Sequence, residues 1–146
     1  MSLNDGFCEL DRDQCLRLLS RAPFGRVVHT RHALPAVLPV AFTLDTDSAV
    51  LMRTSAGSEL AAAIDGAVIA FEADEMDAAA RCGWSVVVTG RATTVIDPIE
   101  HGRLIRTGPR ARVASPEEVF IRVEPELVTG RRFAGGLTVY RPDISS

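Results

Sequence analysis

The sequence predicts a small antiparallel β-barrel that carries a few short helices. About six or seven β-branched and apolar segments follow one another, mostly with hairpin-length turns between them. The longest segment, residues 83–96, has period-two alternation, which is the pattern of a strand with one buried face. We assign to its apolar face Trp84, Val86, Val88, Ala92 and Ile96. Only two helical segments interrupt the series of strands, so repeated β-α-β units are absent and a barrel is favoured.

The predicted strands cover residues 24–30, 34–44, 49–54, 67–72, 83–96, 119–124 and 126–133. The second strand contains Pro35 and Pro39. Because each proline removes a donor from the hydrogen-bond ladder, we expect an edge strand or a bulge at this position. The acidic, alanine-rich residues 73–81 are expected to form a loop between the fourth and fifth strands.

Three helices are predicted from their start and stop signals. The first covers residues 10–21, with Asp11 as its N-cap and Gln14 as the capping-box partner. The second covers residues 58–64 and begins after a Gly–Ser turn. The third covers residues 97–106 and begins with an Asp–Pro pair, which places a cap and then a favoured first helical residue.

The composition is that of one domain, residues 1–146, with a core over about residues 10–133 and a loose tail over 134–146. Hydrophobic residues make up 47% and charged residues 24%, which is ordinary for a soluble protein. No apolar run approaches the roughly 18 residues that span a membrane, and the polar N-terminus is unlike a signal peptide. Three cysteines without metal-binding spacing favour a reducing compartment, so we expect a cytoplasmic protein.

The charged residues limit the chemistry of the chain. The net charge is −3, which provides no basic face for nucleic acid. The chain contains no lysine and its 16 cationic side chains are all arginine, so a Schiff-base mechanism through a side-chain amine is excluded. His29 and His32 lack a third ligand nearby, so we expect no metal site.

Residues 51–64, LMRTSAGSELAAAI, are the first candidate for a functional site. A strand end leads there through a Gly/Ser turn into a helix, and free backbone N–H groups at such a turn attract anions. Arg53 adds a guanidinium whose planar donors suit a phosphate. The alternative is that Ser55 or Ser58 only caps the helix and that Arg53 is a solvated strand end.

Several short motifs occur in the order and spacing of a known family. They are Gly25–Arg26, Leu38–Pro39–Val40, Arg53–Thr54, Gly57–Ser58, Phe71–Glu72, GWSV at 83–86, Gly90–Arg91 and VTGRR at 128–132. With these motifs, the chain resembles the pyridoxamine 5′-phosphate oxidase-like family of flavin-binding split barrels over about residues 10–133. The resemblance implies a mainly β fold, a six- to seven-stranded antiparallel split barrel of Greek-key type with a few short helices.

The resemblance also implies a homodimer with flavin sites at the subunit interface. In such proteins the turn after the third strand holds the FMN phosphate, the second strand backs the flavin ring, and the partner's fifth strand completes the site. The matching residues are Arg53, Thr54, Ser55 and Ser58 for the phosphate, Pro39 and Val40 for the ring, and Trp84 and Arg91 for the partner side. Alternatively, Pro39 only shapes an edge strand, Trp84 is a packing residue, and Arg91 is a solvated side chain.

Glu59 departs from the family pattern. Relatives commonly have a lysine after the Gly–Ser pair, and that lysine pairs with the phosphate, whereas this chain has a glutamate. Two like charges about 4 Å apart repel each other by about 4 kcal/mol at an effective dielectric constant near 20. Arg53 and Arg131 are available to offset part of this repulsion, so the resemblance implies a flavin site that Glu59 weakens.

Two functions of different kinds are compatible with these features. The first is an oxidoreductase that uses FMN or the deazaflavin F420, for whose acidic tail several arginines are available: Arg110, Arg112, Arg131 and Arg132. Some relatives bind haem instead. Because such a cofactor carries the chemistry itself, no catalytic triad is expected, and the sequence has no nucleophile motif. The alternative is a split barrel that binds a ligand, or no cofactor, without turnover.

Overall fold

The computed structural model describes residues 7–110 and 117–134, which form eight strands and three helices. In chain order they are β1 Phe7–Glu9, α1 Arg12–Leu19, β2 Phe24–Arg31, β3 Leu34–Leu44, β4 Val50–Ser55, α2 Glu59–Ile64, β5 Val68–Asp77, β6 Cys82–Thr94, α3 Pro98–Thr107, β7 Glu118–Val123 and β8 Leu127–Phe133. Most of the expected loose tail, and Arg112, lie outside the described residues.

Six strands close into an antiparallel barrel. The order of neighbours is β6-β5-β2-β3-β4-β7, and β7 pairs with β6 to complete the circle. β5 lies beside β2 rather than beside β4, which is Greek-key topology. β8 and β1 extend the sheet from the other edge of β6. The predicted fold class, a mainly β antiparallel split barrel with short helices, is confirmed.

β6 joins the barrel to the added strands because its partner changes along its length. Residues 83–89 pair with β8, whereas Ala92–Thr94 pair with β7. The chain between β7 and β8 crosses β6 at Gly90, where an added Cβ atom would lie 1.7 Å from the Glu124 carbonyl oxygen. Only a residue without a side chain allows the two backbones to approach this closely.

The core lies on the face of β6 that the alternating pattern predicts. Trp84, Val86, Val88 and Ala92 are all buried. Ile96, which we assigned to the same face, is 87% exposed, so that assignment is wrong. The strand ends at Thr94, and the alternation therefore stops before Ile96 is reached.

The helices begin where their caps predict. Asp11 Oδ1 accepts the N–H of Gln14 at 2.8 Å, and Gln14 Oε1 accepts the N–H of Asp11 at 2.9 Å, so the capping box is confirmed. α2 has Ser58 as its N-cap. α3 starts at Pro98 after Asp97, although the Asp97 side chain makes no capping hydrogen bond. α1 is shorter at both ends than predicted.

Two strand assignments differ from the sequence expectation. The predicted loop at residues 73–81 is wrong in its first half, because β5 continues to Asp77 and pairs with the start of β6. Ala73 faces the core and is fully buried there, whereas the exposed residues 75–77 tolerate acidic side chains. β1 was missed; it is three residues long and is held by antiparallel pairing with β8.

The prolines of β3 mark a free edge, as predicted. Residues 34–41 of β3 pair with residues 24–31 of β2. On its other edge, β3 pairs with β4 only over Phe42–Leu44. Within the described residues, the second edge of β3 therefore carries no ladder over residues 34–41, which include Pro35 and Pro39. This is the point at which the barrel splits open.

Candidate functional site

Four of the sequence-predicted site residues lie on the segments of β3 and β4 that border the opening between these strands. The ladder between the two strands ends at the pair Phe42 and Met52. If the same antiparallel register continued, Val40 would face Thr54 and Pro39 would face Ser55. The four residues thus lie at corresponding positions on the two strands, just beyond the last paired residues, and we call these two strand segments the walls of the opening.

The turn between β4 and α2 is held by its own hydroxyl groups. Thr54 Oγ1 donates to Ser58 Oγ at 3.1 Å, and Ser58 Oγ accepts the N–H of Ala61 at 3.0 Å. The N–H of Ser58 donates to the carbonyl of Ser55 at 3.0 Å. Ser58 is therefore a helix cap, as one of the two sequence interpretations requires, and the anion-binding role of the turn remains a prediction.

Arg53 points away from this turn. Its Nε donates to Glu118 Oε1 at 2.8 Å, its Nη1 donates to the Pro109 carbonyl at 3.3 Å, and its guanidinium lies 5.0 Å from the Phe120 ring centroid. Successive side chains of a strand point to opposite faces, so Arg53 and Thr54 diverge. Arg53 thus connects β4 to β7, and its predicted role as a phosphate ligand stays a prediction.

Glu59 has a cationic partner that the sequence analysis did not identify. Arg31 Nη2 donates to Glu59 Oε1, so the last residue of β2 is joined to the first residue of α2. Arg31 precedes a two-residue hairpin turn, His32–Ala33, in which both residues have positive φ angles. No local pattern links residues 31 and 59, because only the folded barrel brings the hairpin to α2.

Trp84 and Arg91 lie at different places on β6. They are seven positions apart, which corresponds to about 23 Å along a strand. The Trp84 indole is 7% exposed and donates to Glu75 Oε1 at 3.3 Å. The Arg91 guanidinium donates to the carbonyl of Gly66, just beyond the C-terminal end of α2. Neither of these side-chain hydrogen bonds reaches a residue that borders the β3–β4 opening.

Arg131 lies on the outer side of the sheet, where β8 pairs with β1 and β6. Its guanidinium is 5.1 Å from the Phe7 ring centroid. It lines a cavity of about 900 Å³, together with residues that include Glu9, Ser85 and Thr129. A second cavity of about 810 Å³ is lined by residues that include Trp84 and Arg132. Neither cavity includes the walls of the β3–β4 opening, so a single chain presents two separate groups of predicted site residues.

A charged cluster adjoins Ser85, a residue that lines the first cavity and whose Oγ lies 3.5 Å from Glu72 Oε2. Arg26 Nη1 donates to Glu72 Oε1 at 2.7 Å and to Asp74 Oδ2 at 3.4 Å. Burial raises the pKa of the Glu72 carboxyl above its ordinary value, and the neighbouring Asp74 acts in the same direction. Two carboxylates share one guanidinium here, so the cluster has an excess of negative charge.

None of the three helices within residues 7–110 and 117–134 has the length and apolar character of a membrane-crossing segment. The same residues contain no group of three or more His, Cys, Asp or Glu side chains placed to bind a metal ion.

The barrel with an opening between two of its strands is a split barrel, and comparison with known proteins identifies the family. A family model described as pyridoxamine 5′-phosphate oxidase matches residues 11–132. The chain therefore belongs to the pyridoxamine 5′-phosphate oxidase family, as the sequence motifs indicated. An uncharacterised Mycobacterium tuberculosis protein is 45% identical over 130 residues, which are 85% of this chain and 84% of that protein.

Solved structures with the same fold include flavin-binding proteins. The FAD-binding protein of Mycobacterium smegmatis is 33% identical, with a TM-score of 0.79, and the match covers 88% of this chain and 100% of that chain. A conserved Corynebacterium diphtheriae protein of unknown function is 30% identical, with a TM-score of 0.76, and the match covers 89% of this chain and 100% of that one.

Proposed function

We propose that this protein is a flavin-dependent oxidoreductase that binds its flavin between two identical subunits. The observation that supports this most directly is its likeness to the FAD-binding protein of Mycobacterium smegmatis, at 33% identity over the whole of that chain. FAD is therefore the first candidate cofactor, and FMN and F420 are tested beside it. A bound flavin supplies the hydride chemistry, so the protein has to provide binding, orientation and electrostatics.

The residues at the β3–β4 opening have the chemistry that a flavin site requires. An apolar surface for a flat ring is offered by Pro39 and Val40. Hydroxyl groups that can donate to a phosphate are offered by Thr54, Ser55 and Ser58. Hydrogen bonds from hydroxyl and backbone groups to an ionised phosphate are stronger than those between neutral groups. We assign ring contact to the first two residues and phosphate contact to the other three.

The first prediction is that the purified protein carries or binds a flavin. We expect a flavin absorption spectrum, or binding of added FAD with one flavin per subunit. Chromatography of the cofactor released by denaturation distinguishes FAD, FMN and F420, and the spectrum distinguishes haem. A protein that is colourless as purified and binds none of these on titration would refute the proposed function.

The second prediction is that the protein is a homodimer. Trp84, Arg91 and Arg131 are separated from the β3–β4 opening in one chain, so a site that includes both groups needs a second subunit. Light scattering should give twice the chain mass of 15.7 kDa at micromolar concentration. An obligate interface of this kind buries on the order of 2,000 Å² or more. A monomer with bound flavin would show that one chain forms the site alone.

A further inference from the structure

The ion pair between Arg31 and Glu59 connects two elements that border the β3–β4 opening. Arg31 ends β2 next to the hairpin into β3, and Glu59 begins α2 next to the turn that follows β4. The two side chains are 44% and 72% exposed, so solvent and ligands reach both charged groups. Ser58, which precedes Glu59, is hydrogen-bonded to Thr54 in the wall of the opening.

The guanidinium of Arg31 has unused hydrogen-bonding capacity. Within the described residues, its one hydrogen-bond partner is Glu59, which it contacts through Nη2. A guanidinium has five N–H donors, so most of those on Arg31 are available to another acceptor. Exposed ion pairs contribute about 0–1 kcal/mol, which means that a stronger anion can replace the glutamate.

We propose that Arg31 binds the flavin phosphate, and that Glu59 occupies its guanidinium when no phosphate is present. This inference rests on the flavin site proposed above and adds to it a residue from β2. The planar fork of a guanidinium can donate to two phosphate oxygens at once. The contact with Glu59 uses Nη2 alone, so this bidentate geometry is not used by the ion pair. Glu59 is then an internal competitor that lowers the affinity for ligands bearing a phosphate and leaves other flavins unaffected.

The test compares flavins with and without a phosphate. FMN, FAD and riboflavin are titrated into the full-length protein, freed of any bound flavin, and into the variants Glu59→Gln, Arg31→Gln and the double variant. We expect Glu59→Gln to tighten FMN binding by about tenfold, the value of one weak charge-assisted contact, and to leave riboflavin binding unchanged. Arg31→Gln should weaken FMN binding, and adding Glu59→Gln to it should restore less affinity than Glu59→Gln gains in the wild type, because only the direct repulsion between Glu59 and the phosphate is then relieved.

Two further variants separate this role from a structural one. Glu100→Gln is the matched control, because Glu100 is also a first-turn glutamate whose carboxylate is bound by an arginine, Arg103 of α3. It should leave the affinities for all three flavins unchanged. Arg31→Lys keeps the charge and should retain part of the FMN affinity that Arg31→Gln loses. Melting temperatures of all variants show whether each remains folded.

The outcomes distinguish this inference from the function on which it rests. If the wild type binds FMN or FAD, but neither the Arg31 nor the Glu59 variants alter the affinity relative to riboflavin, the inference is wrong and the flavin site stands. Tightening by Glu59→Gln that is as large in the Arg31→Gln background as in the wild type would also refute it, because the effect of Glu59 would then not pass through Arg31. If no flavin binds to the wild type or to any variant, the proposed function fails and this inference fails with it.

Discussion

Replacement of Gly90 by alanine is expected to destabilise the barrel more than alanine at any other glycine of the described residues. The added Cβ would lie 1.7 Å from the carbonyl oxygen of Glu124 and 2.8 Å from its carbonyl carbon. Both atoms belong to the backbone, so no side-chain rotation relieves the clash. The connection between β7 and β8 would have to move away from β6. We expect a loss of about 3 kcal/mol or more in the free energy of unfolding, at or beyond the upper end for overpacking.

Urea denaturation of the wild type and Gly90→Ala measures this loss. Gly102→Ala is the matched control, since Gly102 lies within α3 and an added Cβ there would meet no atom within 4 Å apart from its chain neighbours and the backbone of its own helix. Alanine is a better helix former than glycine, so the control should be more stable by about 1 kcal/mol. Equal stability of Gly90→Ala and the wild type would mean that the crossing of β6 is looser than the structure shows.

Much of the fold could be predicted from local signals. The alternating side chains of β6 identified the buried face, and the capping residues Asp11 and Gln14 identified the start of α1. The prolines Pro35 and Pro39 identified the free edge of β3. Each of these signals acts between residues close in sequence, which is why the sequence alone carries it.

The elements that were missed depend on contacts between residues distant in sequence. β1 has three residues and no alternation, and the partner that holds it, β8, follows more than 100 residues later. The second half of β5 has acidic residues with low strand propensity, and its pairing with the start of β6 determines its structure. Ile96 fits the alternating pattern but lies beyond the end of the strand, which the pattern does not mark.

At the candidate site too, features set by residues close in sequence could be predicted, whereas contacts between distant residues could not. The family resemblance implied roles for Val40 and Thr54 in one flavin site, and both residues lie on the strand segments that border the β3–β4 opening, but their roles stay a prediction. The direction of Arg53 could have been predicted, because it neighbours Thr54 on a strand and must point to the other face. The pairing of Arg31 with Glu59 could not have been, since it depends on how the barrel places the hairpin against α2.

The other large effect is expected at Asp45, in the turn between β3 and β4. Asp45 accepts hydrogen bonds from Arg103 at 2.8 and 3.1 Å and from Arg122 at 2.9 Å, so it joins α3 and β7 to this turn. Its side chain is 7% exposed. Because hydrogen bonds to charged groups contribute about 1.5–3 kcal/mol each and are not additive, we expect Asp45→Asn to cost about 3 kcal/mol at pH 7.

The dependence of this loss on pH identifies its cause. The hydrogen bonds from Arg103 hold the pKa of Asp45 below its ordinary value, so the carboxylate stabilises the fold above the unfolded pKa of about 4. Its contribution is lost as the pH falls through the lower pKa of the folded state. The difference between wild type and Asp45→Asn should therefore be constant near neutral pH and should shrink in strong acid.

Asp47→Asn serves as the control for the Asp45 prediction, because Asp47 is bound by the same Arg122 but is 54% exposed. Because the ion pair of Asp47 is exposed, Asp47→Asn should change the free energy of unfolding by no more than about 1 kcal/mol. Urea denaturation of the three proteins at neutral and at acidic pH gives all the required values. If Asp47→Asn destabilised the protein as much as Asp45→Asn, or if the Asp45 difference did not change in acid, the buried contacts to Arg103 would not be the source of the stability.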